Sequence, residues 1–174
     1  MDRLFAPWRI EWVERDEDPI DGCPFCVLPE RDDREGRIVA RNDRAFVLLN
    51  NYPYNPGHVM VVTGRHTGEY AALDEAELLD HARLKQRTLR ALRAALDPDG
   101  TNAGLNLGGA AAGGSIDDHL HEHLVPRWEG DTNFMPVVGD TKVIVEALDR
   151  TYDRLVEAFA EQSGATAGGG AVRF

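Results

Sequence analysis

The apolar residues of the chain fall into short runs that predict strands and longer stretches of helical period. Five runs predict strands: residues 37–40, 45–49, 58–63, 102–107 and 118–126. The first two flank Asn42 and Asp43, a turn pair typical of a β-hairpin. The third run is apolar at almost every position, as in a strand that is buried on both faces. Most of the sheet is therefore predicted from these runs alone.

Two further segments repeat apolar residues every three or four positions and predict amphipathic helices. The first begins at Asp74, a good N-cap with Glu77 three residues later. One face of this helix is predicted to carry Leu79, Ala82, Leu89, Leu92 and Leu96. The second helix spans about residues 141–161 and carries Ile144, Leu148, Leu155 and Phe159. The order β-β-β-α-β-β-α, with one helical crossover, predicts an antiparallel α+β domain.

The length and composition of the chain predict one domain with extensions at both ends. A chain of 174 residues that is 43% hydrophobic can bury a single core. We expect residues 1–22 to form an N-terminal arm whose aromatic side chains pack on the domain. Residues 23–161 are expected to form the domain itself. Residues 162–174 are rich in Gly and Ala and are expected to be a disordered tail.

The charge and the lack of long apolar runs exclude several classes of partner. The formal net charge of −11 repels nucleic-acid backbones, so no nucleic-acid partner is expected. No run of 18 apolar residues and no N-terminal signal core occur, which predicts a cytoplasmic protein without a membrane partner. Cys23 and Cys26, the only cysteines, form a CPFC motif. This spacing favours half of a metal site or a redox dithiol over a structural disulfide.

Three of the six histidines alternate along the fifth predicted strand, at His119, His121 and His123. Alternate residues of a strand face the same side, about 7 Å apart. A histidine-rich polar face is one interpretation, and a metal site is another, although three ligands in a line do not close a tetrahedron. Phosphate chemistry is favoured, because neutral imidazole is a nucleophile near pH 7 and its neighbours can stabilise charge on phosphate oxygens.

A glycine-rich loop precedes the histidines and supports this interpretation. Residues 106–115 read NLGGAAAGGS. Backbone without side chains can approach an anion and direct N–H groups at it. A flexible linker is the alternative for such a loop. Because it lies between two predicted strands and leads into the histidines, we interpret it as a phosphate cradle.

Together these segments resemble the histidine triad (HIT) family of nucleotide hydrolases and transferases. The resemblance spans roughly residues 37–150 and rests on HLHEHLVPRW (119–128), NNYPYNPGHVMVV (50–62), GLNLGG (104–109) and PRWEGDTNF (126–134). It is strongest to the branch that acts on dinucleoside polyphosphates such as diadenosine tetraphosphate. The family implies a HIT-like fold with an antiparallel five-stranded sheet, a long crossover helix and a C-terminal helix. It also implies a homodimer.

The resemblance assigns roles residue by residue. His121 is expected to attack the α-phosphorus and form a nucleotidyl-histidine intermediate, while His123 and His58 contact phosphate oxygens. The expected nucleotide-binding residues are Asn50 for the ribose and Asn106, Gly114 and Ser115 for the phosphates or leaving group. Two other activities stay open, an adenosine phosphoramidase and a nucleotide-binding protein without turnover.

The resemblance to zinc-bearing HIT proteins also implies a structural zinc ion held by Cys23, Cys26, His66 and His119. A redox dithiol and two ordinary reduced cysteines are the alternatives. If His119 binds zinc, it would fix the strand so that His121 faces the pocket. The other ring nitrogen of His121 would then be held by a backbone carbonyl or another neighbouring group.

Glu122 departs from the family pattern, in which its position is usually apolar. Strand alternation directs it away from the histidines, so a solvent-exposed or interface position is expected. A salt bridge to Arg127 or to an arginine of the long helix is the second possibility. His81 matches no part of the pattern and is expected to lie on the surface.

Overall fold

The protein is described by a computed structural model over residues 20–112, 116–131 and 147–174. Six strands form one sheet: β1 (Ile38–Arg41), β2 (Ala45–Leu49), β3 (Val59–Thr63), β4 (Gly100–Leu105), β5 (His121–Arg127) and β6 (Val172–Arg173). Their order across the sheet is β4-β5-β3-β2-β1-β6, and only β6 pairs in parallel. The described helices are α1 (Pro24–Val27), α2 (Glu75–Leu96) and α3 (Leu148–Ala160). The predicted α+β class is confirmed.

The expected disordered tail is wrong, because it supplies a sixth strand. Val172 is fully buried and Ala171 is 4% exposed. The Phe174 N–H donates to the Arg41 carbonyl oxygen at 3.0 Å, and the Arg87 guanidinium lies 3.9 Å from the Phe174 ring centroid. These few apolar residues cover the free edge of β1. They are not evident in the sequence because glycines and alanines surround them.

Shortening Val172 should therefore destabilise the whole domain. We expect Val172→Ala to lower the free energy of unfolding by roughly 2 kcal/mol, because a fully buried side chain is cut back. Arg173→Ala is the matched control, since its side chain is exposed on the same strand and should change little. Urea unfolding of both variants measures the difference, and equal midpoints would contradict a packed tail.

The two faces of the sheet carry different layers. On one face, α2 and α3 cover a core that includes Val47, Val61, Leu124, Leu155 and Phe159. The burial of Leu155 and Phe159 confirms the apolar face predicted for the second helix, but the helix begins at Leu148 after an extended Ala147; residues 141–146, including Ile144, lie outside the described residues. The opposite face carries α1, a smaller core and the alternate side chains of β5. The functional site therefore lies on the face that the long helices leave uncovered.

The long helix begins where the sequence predicts but turns a different face to the sheet. Asp74 and Glu77 form the predicted capping box. Leu79 is 45% exposed and Ala82 is exposed, so the predicted apolar face is wrong at these positions. The buried residues of α2 include the polar His81 and Thr88. Their hydrogen bonds, His81 to the Val61 carbonyl and Thr88 to the Leu84 carbonyl, permit this burial.

Among the described residues, no helix is both long enough and apolar enough to cross a membrane. The N-terminal arm, apart from residues 20–22, lies outside the described residues.

Candidate active site and metal centre

Two neighbouring strands and one glycine turn position three histidines. His121 and His123 lie on β5 opposite Val62 and Met60 of β3. His58 immediately precedes β3 and follows Gly57, whose φ is +77°. This φ lies in a region that residues with a side chain rarely adopt, and a Cβ atom at Gly57 would also lie 2.2 Å from Leu96 Cδ1, so glycine is strongly favoured there. The turn therefore brings His58 beside the two histidines of β5.

His121 has one ring nitrogen engaged by the backbone. Its Nδ1 lies 2.8 Å from the His119 carbonyl oxygen, which can only accept. In the neutral ring Nδ1 therefore carries the proton and Nε2 carries the lone pair. The side chain is 8% exposed, and burial lowers its pKa. These features together keep His121 neutral with a nucleophilic nitrogen at Nε2.

The His58 and His123 rings form a directional hydrogen-bond chain. The Tyr54 N–H donates to His58 Nδ1 at 3.1 Å, so the proton of the neutral ring is on Nε2. His58 Nε2 in turn donates to His123 Nδ1 at 2.9 Å. His123 therefore carries its own proton on Nε2. The chain prepares His123 as a hydrogen-bond donor beside the His121 ring, whose centroid is 5.0 Å away.

The His123 ring should make the protein sensitive to acid. Burial, and secondarily the charge of His121, lowers the pKa of His123 to about 4. As the pH falls, this histidine takes up a proton in the unfolded chain, where its pKa is an ordinary 6.5, before it does so in the folded protein. The stabilisation is thus complete above pH 6.5 and is lost as the pH falls towards 4. We expect His123→Asn to remove up to about 3 kcal/mol of this pH dependence.

Urea unfolding at several pH values between 7 and 4 measures this difference as the slope of stability against pH. The variant should show a shallower slope than the parent protein. Identical slopes in the two proteins would contradict the role of His123.

Not all predicted nucleotide-binding residues fall among the described residues. Asn50 Oδ1 accepts from the Tyr52 N–H at 2.8 Å, and its Nδ2 lies 3.8 Å from Met60 Sδ. Asn106 is exposed and lines a groove together with His123. Gly114 and Ser115, and with them the end of the predicted phosphate cradle, lie outside the described residues.

The groove beside His123 contains residues that the sequence analysis did not assign. It has a volume of about 530 Å³. Tyr54 forms one wall, with its ring stacked on His58 at a centroid distance of 4.6 Å. Asn102 and Gly104 of β4 line another side, together with the predicted Asn106 just beyond the strand. The alternation of Asn102 and Gly104 on one strand was the available signal, since alternate residues share a face.

Four predicted ligands converge on one point at the other end of β5. The ligand atoms of Cys23, Cys26, His66 and His119 all lie within 4.8 Å of one another. His119 Nδ1 is 3.4 Å from Cys23 Sγ and 3.6 Å from Cys26 Sγ. His119 Nε2 donates to the Thr63 carbonyl at 2.8 Å, which leaves the Nδ1 lone pair facing the sulfurs. Two thiols and two imidazoles at these spacings fit a tetrahedral metal site.

The candidate metal centre is joined to His121 through His119 and Phe25. His66 Nε2 lies 3.3 Å from Asp118 Oδ2, a carboxylate that can orient the ring. The Phe25 ring, between the two cysteines in sequence, lies 4.9 Å from the His121 ring centroid. His119 presents its ring to the cysteines and its carbonyl oxygen to His121. Order at the metal centre therefore supports the orientation of His121.

The predicted row of three strand histidines is wrong at His119. β5 begins at His121, and His119 precedes it. The chain there makes a mixed contact: the Leu120 N–H donates to the Thr67 carbonyl of a loop at 2.8 Å, and the Leu120 carbonyl oxygen accepts from the Thr63 N–H at the end of β3 at 3.3 Å. Only two of the three histidines lie on the strand.

Glu122 and His81 are also placed differently from the prediction. Glu122 is 6% exposed, on the face covered by α2, and its Oε1 lies 2.5 Å from Lys85 Nζ. Its partner is thus a lysine of the long helix, whereas Arg127 pairs with Asp131. His81 is 6% exposed and not on the surface. Both positions are buried where α2 packs on the sheet; Glu122 pairs with Lys85, and His81 donates to the Val61 carbonyl oxygen.

The sequence and the fold of this chain are similar to those of known proteins. A model of the HIT domain matches residues 31–130. A Mycobacterium tuberculosis protein named AP-4-A phosphorylase is 39% identical over 169 residues, 93% of this chain and 86% of the relative. A zinc-bound histidine triad protein from Mycobacterium smegmatis shares the fold with a TM-score of 0.64 at 24% identity, over 80% of this chain and 94% of that one.

A hypothetical histidine triad nucleotide-binding protein from Sulfolobus tokodaii has a TM-score of 0.61 at 28% identity, over 80% of this chain and 90% of that one. The chain belongs to the histidine triad family.

Proposed function

We propose that the protein is a nucleotidyl hydrolase or transferase that cleaves dinucleoside polyphosphates such as diadenosine tetraphosphate at the α-phosphate. The observation that carries the proposal is the lone pair at His121 Nε2 beside the donor at His123 Nε2. The identity of 39% to an AP-4-A phosphorylase supports the choice of substrate. The resemblance to HIT enzymes supports catalysis over binding alone.

In the proposed reaction, His121 Nε2 attacks the α-phosphorus of the substrate. The N–P bond forms as the P–O bond to the remaining polyphosphate breaks, and the leaving nucleotide takes the electron pair. His123 donates a hydrogen bond from Nε2 to a phosphate oxygen and so stabilises the developing charge, with His58 holding its tautomer. Water or inorganic phosphate then attacks the same phosphorus, and the N–P bond breaks to return free His121.

The two acceptors give different products from the same intermediate. Diadenosine tetraphosphate attacked at the α-phosphorus releases ATP and leaves an adenylyl group on His121. Transfer to water then yields AMP, whereas transfer to inorganic phosphate yields ADP. The product pair therefore identifies the acceptor.

The proposal includes a structural zinc ion, a homodimer and a cytoplasmic location. The ligand set of two thiols and two imidazoles supports zinc, which would order the segment from Cys23 to Cys26 against His119. The family resemblance supports the homodimer, and β4 lies at the end of the strand order, where a second chain can pair. Two reduced cysteines in the chain are consistent with a reducing compartment.

The test is to incubate the protein with diadenosine tetraphosphate, with and without inorganic phosphate, and to identify the nucleotides formed. ATP with ADP or AMP is the expected outcome. Binding of the nucleotide without any product over hours would refute turnover and favour a binding protein. An adenosine phosphoramidate assayed in parallel distinguishes a phosphoramidase, which would cleave it in preference.

A further inference from the structure

A buried polar cluster joins the long helix to the strand that carries the histidines. Lys85 Nζ lies 2.5 Å from Glu122 Oε1, and His81 Nδ1 lies 3.9 Å from Glu122 Oε2. His81 Nε2 also donates to the Val61 carbonyl at 3.3 Å. Glu122 and His81 are each 6% exposed and lie between helix and sheet, whereas the Lys85 side chain is 34% exposed and remains partly open to solvent.

The cluster lies directly behind the catalytic face. Val61 and Glu122 are paired across β3 and β5. The neighbouring pairs are Val62 with His121 and Met60 with His123. His81 and Lys85 are four residues apart and so share one face of α2. His81 thus contacts β3 at Val61, and Lys85, one helix turn later, contacts β5 at Glu122. Val61 and Glu122 form the strand pair that lies between the pairs of His121 and His123.

Stability alone does not explain an ion pair at this place. Removing the Glu122 carboxylate from water is costly, and apolar residues of similar size are often equally stable or more so. Apolar contacts are also non-directional and allow a helix to shift along a sheet. A hydrogen-bonded pair instead specifies one register between the two elements.

We propose that Glu122, held by Lys85, is a positioning residue that fixes the β5 backbone so that His121 and His123 keep their geometry. This inference rests on the proposed function for its readout of turnover. Glu122 shares peptide bonds with both histidines, so a small displacement of its backbone moves both rings together. Displacements of about 1 Å in an active site can lower rates by up to about 100-fold.

The experiment compares Glu122→Leu/Lys85→Met with the parent protein. The double variant replaces the pair by apolar groups, so its thermal midpoint should stay within about 5 °C. We expect the single-turnover rate on diadenosine tetraphosphate to fall about tenfold, with substrate affinity changed by less than about threefold. Arg44→Met is the matched control. Arg44 also pairs with a residue of the long helix, Asp80, at 2.8 Å, but it lies in the turn between β1 and β2.

A rate of the double variant equal to that of the parent protein would overturn the inference. If the double variant does not fold, Glu122→Gln, which keeps the side-chain volume, takes its place. Its single-turnover rate on diadenosine tetraphosphate is then compared with that of the parent protein, and equal rates would overturn the inference. If the parent protein shows no turnover, the proposed function fails, and the inference is then decided by NMR. In that case the ring nitrogens of His121 and His123 should shift in the Glu122 variants and not in Arg44→Met; unchanged shifts would overturn it.

Discussion

Replacing His121 with asparagine should lower turnover of diadenosine tetraphosphate by about 10⁴-fold or more, because the reaction loses its nucleophile. The asparagine amide can still donate to the His119 carbonyl oxygen, as Nδ1 does in the parent protein. The fold around α1 and β5 should therefore persist. Steady-state and single-turnover rates measure the loss.

Two controls separate a chemical defect from a folding defect. The thermal midpoint should stay within about 5 °C of the parent protein, since one hydrogen bond is retained and little volume is lost. The dissociation constant for the substrate should change little, because other groups bind the phosphates. If the His121→Asn protein is folded and retains about a tenth of the parent activity, His121 is not the nucleophile.

Removing the metal should be the largest single change in stability. We expect purified protein to contain about one zinc ion per chain, and a strong chelator or Cys23→Ala to lower the free energy of unfolding by at least about 3 kcal/mol. The reason is that four side chains from three segments of the chain lose the ion that they share. Turnover should fall as well, because His119 and Phe25 orient His121.

Asp118→Asn is the matched control for the metal centre. It keeps all four ligands and removes only the carboxylate beside His66. Zinc affinity should fall by about 10- to 100-fold while the ion stays bound at saturating zinc. Protein that is purified without chelator and contains almost no zinc, yet unfolds at the same urea concentration after chelator treatment, would contradict a structural metal.

The parts of the fold that the sequence predicted are those with a local physical signal. Strand period placed His121 and His123 on one face, and the acidic pair Asp74 and Glu77 located the start of α2. The four ligands of the metal centre came from the family resemblance, because spacing alone cannot bring Cys23 and His119 together. The structure places all four around one point.

Other features depend on packing between distant segments and carry no local signal. The face that α2 buries is chosen by the sheet, which accepts His81 and leaves Leu79 exposed. Strand alternation directs Glu122 away from the histidines but does not show which element covers that face, because its partner Lys85 is 37 residues away. The strand at Val172 is hidden in a glycine-rich tail because its partner β1 lies near the other end of the chain.

The most direct test of the central claim is to trap the covalent intermediate. Diadenosine tetraphosphate carrying labelled adenosine is mixed with excess protein, quenched in alkali to preserve the N–P bond, digested and analysed by mass spectrometry. The account predicts an adenylyl group on the peptide that contains His121, and on that residue. Label attached to any other residue, His123 included, would contradict it.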